Sequence, residues 1–312
     1  MAIIANEFLT FSAIGNREDL SDTIYNISPT DTPFLGNISK TKSSAVLHEW
    51  QTDALAAAAA NAQLEGDDIT SFTAITATTR VSNTCQISSK NMVVSATQDS
   101  VNKAGRKKEI VYQITKKTKE LKRDVEVVLT GNQASVTGNS TTARQLRSLC
   151  SWYATNTQRG TSGVNGSSSV AATDGTQRAL TESLIKTGLQ TAWTQGGDPD
   201  LIMVGPFNKT VMSTMTGNAT RFVKAESSEL VANIDIYKSD FGRHKVVANR
   251  FSRERDCHII DTDLWAIAYL RPMKTEDLAK TGDSTKGYVV SEYTLECRQE
   301  AGNAVVADLT TS

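Results

Sequence analysis

An α+β fold is what this sequence predicts, and three observations carry it. One long stretch repeats its apolar residues at helical spacing, and another alternates them at strand spacing. Behind these two, short apolar runs bounded by Gly, Pro and Asp read more often as strands than as helices.

The helical stretch is Val101 to Leu129, where Ile110, Ile114, Leu121, Val125 and Val128 fall on one narrow face of a 3.6-residue period. No proline interrupts it, and Gly131-Asn132 is a plausible stop. Helical throughout, it would measure roughly 40 Å at about 1.5 Å per residue. Its polar side carries nine Lys/Arg between Lys103 and Arg123, opposed only by Glu109 and Glu120. Lys116/Glu120 and Lys122/Glu126 have the i,i+4 spacing of ion pairs. The positive surplus reads either as a solvated face or as a strut toward acidic neighbours, subunits or nucleic acid.

Ahead of the helix, residues from Met1 to about Lys40 hold only short apolar patches: Phe8, Leu9, Phe11 and Ile14, then a helix-like turn with Leu20, Ile24 and Ile27. Thr32-Pro33-Phe34-Leu35-Gly36 reads as a turn with an apolar plug, and the whole segment as an arm. Ala45 to Trp50 is a predicted strand. Ala56 to Ala60 favours helix by composition, but so short a run is marginal alone in water. Glu65-Gly66-Asp67-Asp68 turns, and Thr73 to Ser89 alternates as one long strand with Ile75, Ala77, Val81, Cys85 and Ile87 on one face. The two strands make a long hairpin with an irregular tip. An isolated hairpin is marginally stable at best. With few large side chains to cover it, burial against another copy of the chain is expected.

After the helix, Thr142 to Tyr153 is a predicted short helix. Asn156 to Gln177, rich in Gly, Ser, Thr and Asn, reads as a linker and domain boundary. Leu180, Leu184, Leu189 and Trp193 mark a helix, Leu201 to Val204 a buried strand, and Asn208 to Met215 a short helix. Strands follow at Ile234–Tyr237, Lys245–Ala248, Cys257–Ile260 and Leu264–Leu270, the last ended by Arg271-Pro272, and then at Tyr288–Cys297 and Ala304–Ala307.

Function classes narrow quickly. Hydrophobic residues make up 39% of the 312, so apolar area is scarce, and the net charge of −1 argues against a general nucleic-acid sponge. Four cysteines without a CxxC pair imply buried free thiols in a reducing compartment. No signal peptide and no membrane-length apolar run is apparent. His48, His244 and His258 lack partners at metal-ligand spacing, and Cys257 and His258 would point to opposite faces of a strand. GxGxxG, GxxxxGK(S/T) and GxSxG motifs are missing, and the loop glycines Gly160, Gly163 and Gly166 have no strand and helix around them. Asp67-Asp68 and Asp261/Asp263 read as solvated turn acids. Arg250, Arg253 and Arg255, interleaved with acids, point to ion pairs with a neighbouring surface. No catalytic residue, cofactor or metal is predicted.

The chain resembles the major capsid proteins of tailed bacteriophages with the Johnson fold (Hong Kong ninety-seven type). The residues that carry the likeness are HEWQTDALAAAAANAQLEGDD (48–68), AGRKKE (104–109), KELKRDVE (119–126), GNQA (131–134), DPDLIMVGPFNK (198–209), SDFG (239–242), NRFSRERD (249–256), AYLRPM (268–273), LAKTGD (278–283) and ADLTTS (307–312). The resemblance implies an N-terminal arm (1–44), an extended loop (45–97), a peripheral domain with the spine helix (98–179), an axial domain (180–250) and strands returning to the peripheral domain (251–312). It implies hexamers and pentamers of this chain closing into an icosahedral head around double-stranded DNA. Decoration, scaffolding and portal proteins would be further partners, the DNA would be touched weakly and non-specifically, and no membrane would be involved. The protein would reside in the virion after assembly in the bacterial cytoplasm. Trp50 and Leu55, at the base and tip of the loop, would be inter-subunit contacts. So would Arg106, Lys107 and Arg123 on the helix, and Arg250, Arg253 and Arg255. An encapsulin-like or other nucleic-acid-associated shell protein is the alternative.

Overall fold

The computed structural model describes residues 28–66, 68, 72–215 and 235–312. The apolar patches from Phe8 to Ile27, the acid Asp67 and the predicted strand start at Ile234 lie outside them.

The described chain opens with a plug. Helix α1 (Pro33–Asn37) starts on a proline, whose fixed φ suits the first helical turn, and it buries Phe34 and Leu35. Full burial of a side chain like Phe34 stabilises by roughly 1.5–3 kcal/mol. Strand β1 (Ser39–Lys42) follows, then β2 (Leu47–Thr52) and β3 (Thr79–Thr84), an antiparallel hairpin running from Leu47↔Thr84 to Thr52↔Thr79. The arm expected for residues 1–44 is therefore integrated into the body from Pro33 onward.

The predicted strand Thr73–Ser89 breaks in two. At Cys85, which is buried and donates its N–H to Val46 O (2.8 Å), the chain leaves the hairpin. It continues as β4 (Gln86–Ser95), which pairs elsewhere. The change of partner ends the single apolar face: Ile75 and Ile87 are exposed while Cys85 is buried. The alanine run forms no helix. Residues 53–64 are irregular and exposed, because nothing packs on them to offset the ordering entropy.

The spine helix is shorter than its periodicity suggested. Residues 96–100 form a separate turn, α2 (Ala96–Ser100), and Gly105 sits at φ +73°, a conformation incompatible with a continuing helix. The helix itself, α3 (Glu109–Thr130), begins where Asp99 Oδ1 accepts from Glu109 N (2.8 Å). At 22 residues it spans about 33 Å. Leu121, Val125 and Leu129 are buried, and Ile110, Ile114 and Val128 flank them. The expected i,i+4 ion pairs are replaced. Glu120 pairs with Lys117 (2.8 Å), and Glu126 turns inward.

Beyond the spine come α4 (Leu149–Trp152), β5 (Thr157–Gln158), α5 (Glu182–Thr194), β6 (Leu201–Val204), α6 (Pro206–Thr214), β7 (Ile236–Ser239), β8 (Gly242–Ala248), β9 (Cys257–Ile260), β10 (Trp265–Leu278), β11 (Ser284–Cys297) and β12 (Ala304–Val306). The helix expected over Thr142–Tyr153 shrinks to the four residues of α4. Trp193, expected on the apolar face of α5, is 55% exposed. Arg271-Pro272 does not end β10. The strand runs on through two register shifts around Pro272, and such an irregularity is where a ladder tolerates a residue with no N–H.

Two sheets result. One orders β1-β10-β11-β4 and carries α3 against β4 and β11. The other orders β5-β12-β9-β6-β8-β7. Its central strand β6 is buried on both faces. Leu201 and Met203 enter the larger core with Phe34, Trp265 and Tyr293, while Ile202 and Val204 enter a second core with Ile185, Leu189 and Met212. The late strands divide as well: β10 and β11 join the first sheet, and β9 and β12 join β6 in the second. Residues 251–312 thus contribute strands to both of these sheets.

Glu126 locks the plug to the spine. Its carboxylate is fully buried and accepts from Phe34 N (2.8 Å), Leu35 N (2.9 Å) and Asn249 Nδ2 (2.7 Å). Burial pushes its carboxyl up from the ordinary range, and the three donors oppose the shift. Glu126→Gln replaces one acceptor oxygen with an NH2 group, leaving one buried donor unpaired. It is expected to destabilise the subunit by about 1–3 kcal/mol in chemical denaturation; an unchanged midpoint would show that the lock is not structural.

Candidate assembly surfaces

The hairpin β2–β3 projects from the body and is gripped at its base. Trp50 Nε1 donates to Cys297 O (2.9 Å), and its ring lies 5.8 Å from Trp152 and 5.5 Å from His48. His48 Nε2 contacts Glu296 Oε2 (3.1 Å), and Arg298 donates to the other oxygen (3.1 Å). Asn83, buried on the facing strand, donates to Leu295 O (2.7 Å) and accepts from Arg147 N (2.7 Å). Trp50, expected to meet another subunit, is a partner of its own chain's β11. Asn83 escaped sequence reading, since one asparagine in an alternating strand carries no signal until its neighbours are known.

Past Thr52 the grip ends. Leu55 is 100% exposed, Leu64 80%, Phe72 87% and Ile75 98%. Large apolar side chains this exposed, close together in one segment, mark a surface that another molecule covers. Leu55, expected at the tip of the loop, is fully exposed three residues beyond the end of β2.

The spine's basic residues are shared between internal and solvent roles. Arg106 pairs with Glu109 and lies over the Tyr112 ring (5.2 Å), and Arg123 lies over the Phe251 ring (5.3 Å). Lys107, Lys108, Lys116, Lys119 and Lys122 are exposed, so a positive stripe does face solvent.

The NRFSRERD segment is corrected most. Arg253 binds both oxygens of Asp174 (2.6 Å each) and reaches Asp256 (3.2 Å). Arg255 binds Asp174 (3.2 Å) and Asp308 (2.9 Å). Both work as struts inside the subunit rather than as pairs with a neighbour, while Arg250 stays exposed. They fasten the loop that was predicted to be a linker. Asp308, buried at φ +61°, accepts from Gly160 N (3.0 Å) and Gly175 N (2.8 Å), and the loop is pinned further by a Val164↔Thr173 bridge and by β5 on β12. Asp174, Asp256 and Asp308 balance the two guanidinium groups, a network in which one deletion strands the rest.

Beneath these arginines, the fold brings Cys150 to Asp256 and His258, two buried neighbours in sequence that lie about a hundred residues further along the chain. Burial, with Arg253 and Arg159 nearby, pulls His258 down to about 3, so its ring is neutral. The solvated-acid reading of Asp261/Asp263 also changes: Asp261 caps a short turn, accepting from Asp263 N (3.1 Å) and Asp198 N (3.0 Å). Among the described residues no helix is long and apolar enough to cross a membrane, and all four cysteines are free and buried.

The arrangement of gripped hairpin, long spine helix and two sheets sharing strands can be matched to known proteins. The sequence profile of the SU10 major capsid protein family matches residues 3–310. The chain belongs to that family. It is therefore a phage major capsid protein, and its family is one of structural subunits rather than enzymes. The major capsid protein of Escherichia phage Phieco32 is 25% identical over 338 residues, covering 96% of each chain. A structure from Gordonia phage Cozz superposes with a TM-score of 0.63 at 10% identity over 99% of this chain and 98% of that one. The cyanophage A-1(L) capsid gives 0.62 at 15% identity over 97% and 99%. Likeness at such low identity shows the fold, and it is the Johnson fold that the sequence motifs resembled.

The hairpin grip of this capsid subunit is sensitive to acid. The His48 hydrogen bond holds Glu296 below the usual glutamate range, against the opposing effect of its burial. A depressed folded pKa contributes stability above the unfolded value and loses it as pH falls through the folded one. The protection factors of the amides over Leu47–Thr52, corrected for the intrinsic pH dependence of exchange, are expected to fall in acid with a midpoint below that of a free glutamate, and His48→Gln should raise that midpoint. Identical profiles would remove the His48–Glu296 contact from the grip.

Proposed function

We propose that this capsid subunit assembles with copies of itself into hexamers and pentamers that close as an icosahedral head around double-stranded DNA. The observation that carries the reading is the loop beyond Thr52: its exposed Leu55, Leu64, Phe72 and Ile75 have no cover in their own subunit. A neighbouring copy supplies it. A loop that cannot stabilise itself, projecting from a base fixed by Trp50 and Asn83, suits a subunit that reaches over the next one. Trp50 then sets the direction of reach and Leu55 makes the contact.

In this reading, residues near 45–97 are the reaching element, 98–179 the peripheral body, 180–250 the capsomer centre, and 251–312 the strands that join the last two. Residues 1–44 are the arm, tethered by the Phe34 plug. Lys107, Arg250 and the exposed Lys116, Lys119 and Lys122 of the spine are the charges left for neighbours, for decoration, scaffolding or portal proteins, or for packaged DNA, Lys108 being paired with Asp99. Assembly takes place in the bacterial cytoplasm and the product is the virion shell.

Deletion of Ala54 to Glu65 is expected to leave soluble, folded subunits that form no closed shells in negative-stain micrographs; normal shells would discard the loop's role. For DNA contact, unassembled subunits should bind duplex DNA with an affinity that drops as salt is raised, because lysines at phosphates release counterions. A flat salt response would remove DNA from the stripe's partners.

A further inference from the structure

Cys150, Asp256 and His258 meet where two segments converge. Cys150 lies on α4, Asp256 directly before β9, and His258 on β9, on the face away from Cys257, which enters the second core. One donor atom from each lies within 4.8 Å of the other two, and all three residues are buried. The thiol donates to Asp256 Oδ2 (3.3 Å) and also approaches Thr130 O (3.6 Å), the carbonyl at the end of the spine helix.

The polar atoms around this point are unsatisfied. Neither ring nitrogen of His258 has a partner, nor does Asp256 Oδ1, and the hydroxyl of Tyr153, whose ring stacks on His258 at 5.7 Å, has none either. Buried groups of this kind ordinarily find hydrogen bonds, an ordered water or an ion. An imidazole with both nitrogens unsatisfied, beside a thiol and a carboxylate oxygen, is a ligand set that needs only the thiol proton removed.

We propose that Cys150, Asp256 and His258 bind a zinc ion, with the Tyr153 hydroxyl or a water in the fourth position. The donor set decides the metal. Sulfur and imidazole suit zinc and not the oxygen-seeking magnesium or calcium. Zinc bonds of about 2.0–2.3 Å place tetrahedral donors about 3–4 Å apart, a small contraction from the present spread. On loading, the Cys150 S–H bond breaks, its proton passes to solvent, and a Zn–S bond forms. Charge then balances locally: the thiolate and the Asp256 carboxylate neutralise the ion, and Arg253 keeps both oxygens of Asp174. The ion would tie the loop behind the spine to β9, joining the layers at a point where the hydrogen bonding is incomplete.

The test uses assembled particles from cells grown with added zinc, exchanged into buffer without metal and analysed by plasma mass spectrometry. About one zinc per chain is expected, as for a structural site. Cys150→Ser and His258→Gln should each lower the content at least about tenfold, and Cys85→Ser should leave it unchanged. Zinc-free wild-type particles overturn the proposal, with water then serving the open donors. So does zinc retained at the wild-type level by Cys150→Ser. If either variant does not fold, wild-type particles grown with cobalt decide. A thiolate-to-cobalt charge-transfer band supports the site, and its absence overturns it.

Discussion

A single buried carboxylate holds the subunit's parts in register. Glu126 sits on the inner face of the spine helix, where an ionised group survives only with several donors aimed at it. The donors come from far apart: two backbone N–H groups of α1 and the amide of Asn249, after β8. That geometry fixes the roll of the helix about its own axis and seats Phe34 and Leu35 in the larger core. It also sets where β1 starts, and so how the first sheet closes on β10. A hydrophobic contact at the same place would allow sliding. A carboxylate with three directional bonds does not.

The second organising feature is a group of three strands, β6, β9 and β12, wet on neither face. Strand β6 sends alternate residues into two different cores, and β9 and β12 do the same with Ile260 against Ile259 and Val305 against Val306. The layers therefore cannot be separated without exposing both cores. The Asp174–Arg253–Asp256 and Arg255–Asp308 pairs add a rigid polar seam to the same region. The body of the capsid subunit gains stiffness from this sharing.

Apolar area is spent unevenly. The body packs densely while the loop beyond Thr52 keeps several large side chains in water. In a lone subunit that distribution is unfavourable and local. In the proposed shell, covering these side chains would supply assembly free energy without asking the core to open. The hairpin base, by contrast, is wedged between Trp152, Cys297 and Leu295, so the loop's direction is set before any neighbour arrives.

Period and propensity were enough to read the α+β class, the apolar face of the spine, the buried strand at Leu201–Val204 and the plug at Phe34, because each depends on residues near one another in the chain. The family motifs were legible for the same reason. What periodicity could not show was partner choice. The switch at Cys85, the passage of β10 through Pro272, the late start of α3 at Glu109 and the folding of the Gly-rich loop onto Asp308 all depend on hydrogen bonds across long sequence separations. Arg253 and Arg255 looked like surface charges until Asp174 and Asp308 arrived from elsewhere in the fold, and His258 looked solitary until Cys150 did. Local pattern states what a segment tends to be; only closure of the chain decides which distant polar group completes it, since a buried donor or acceptor must be satisfied by whatever the topology brings within about 3 Å.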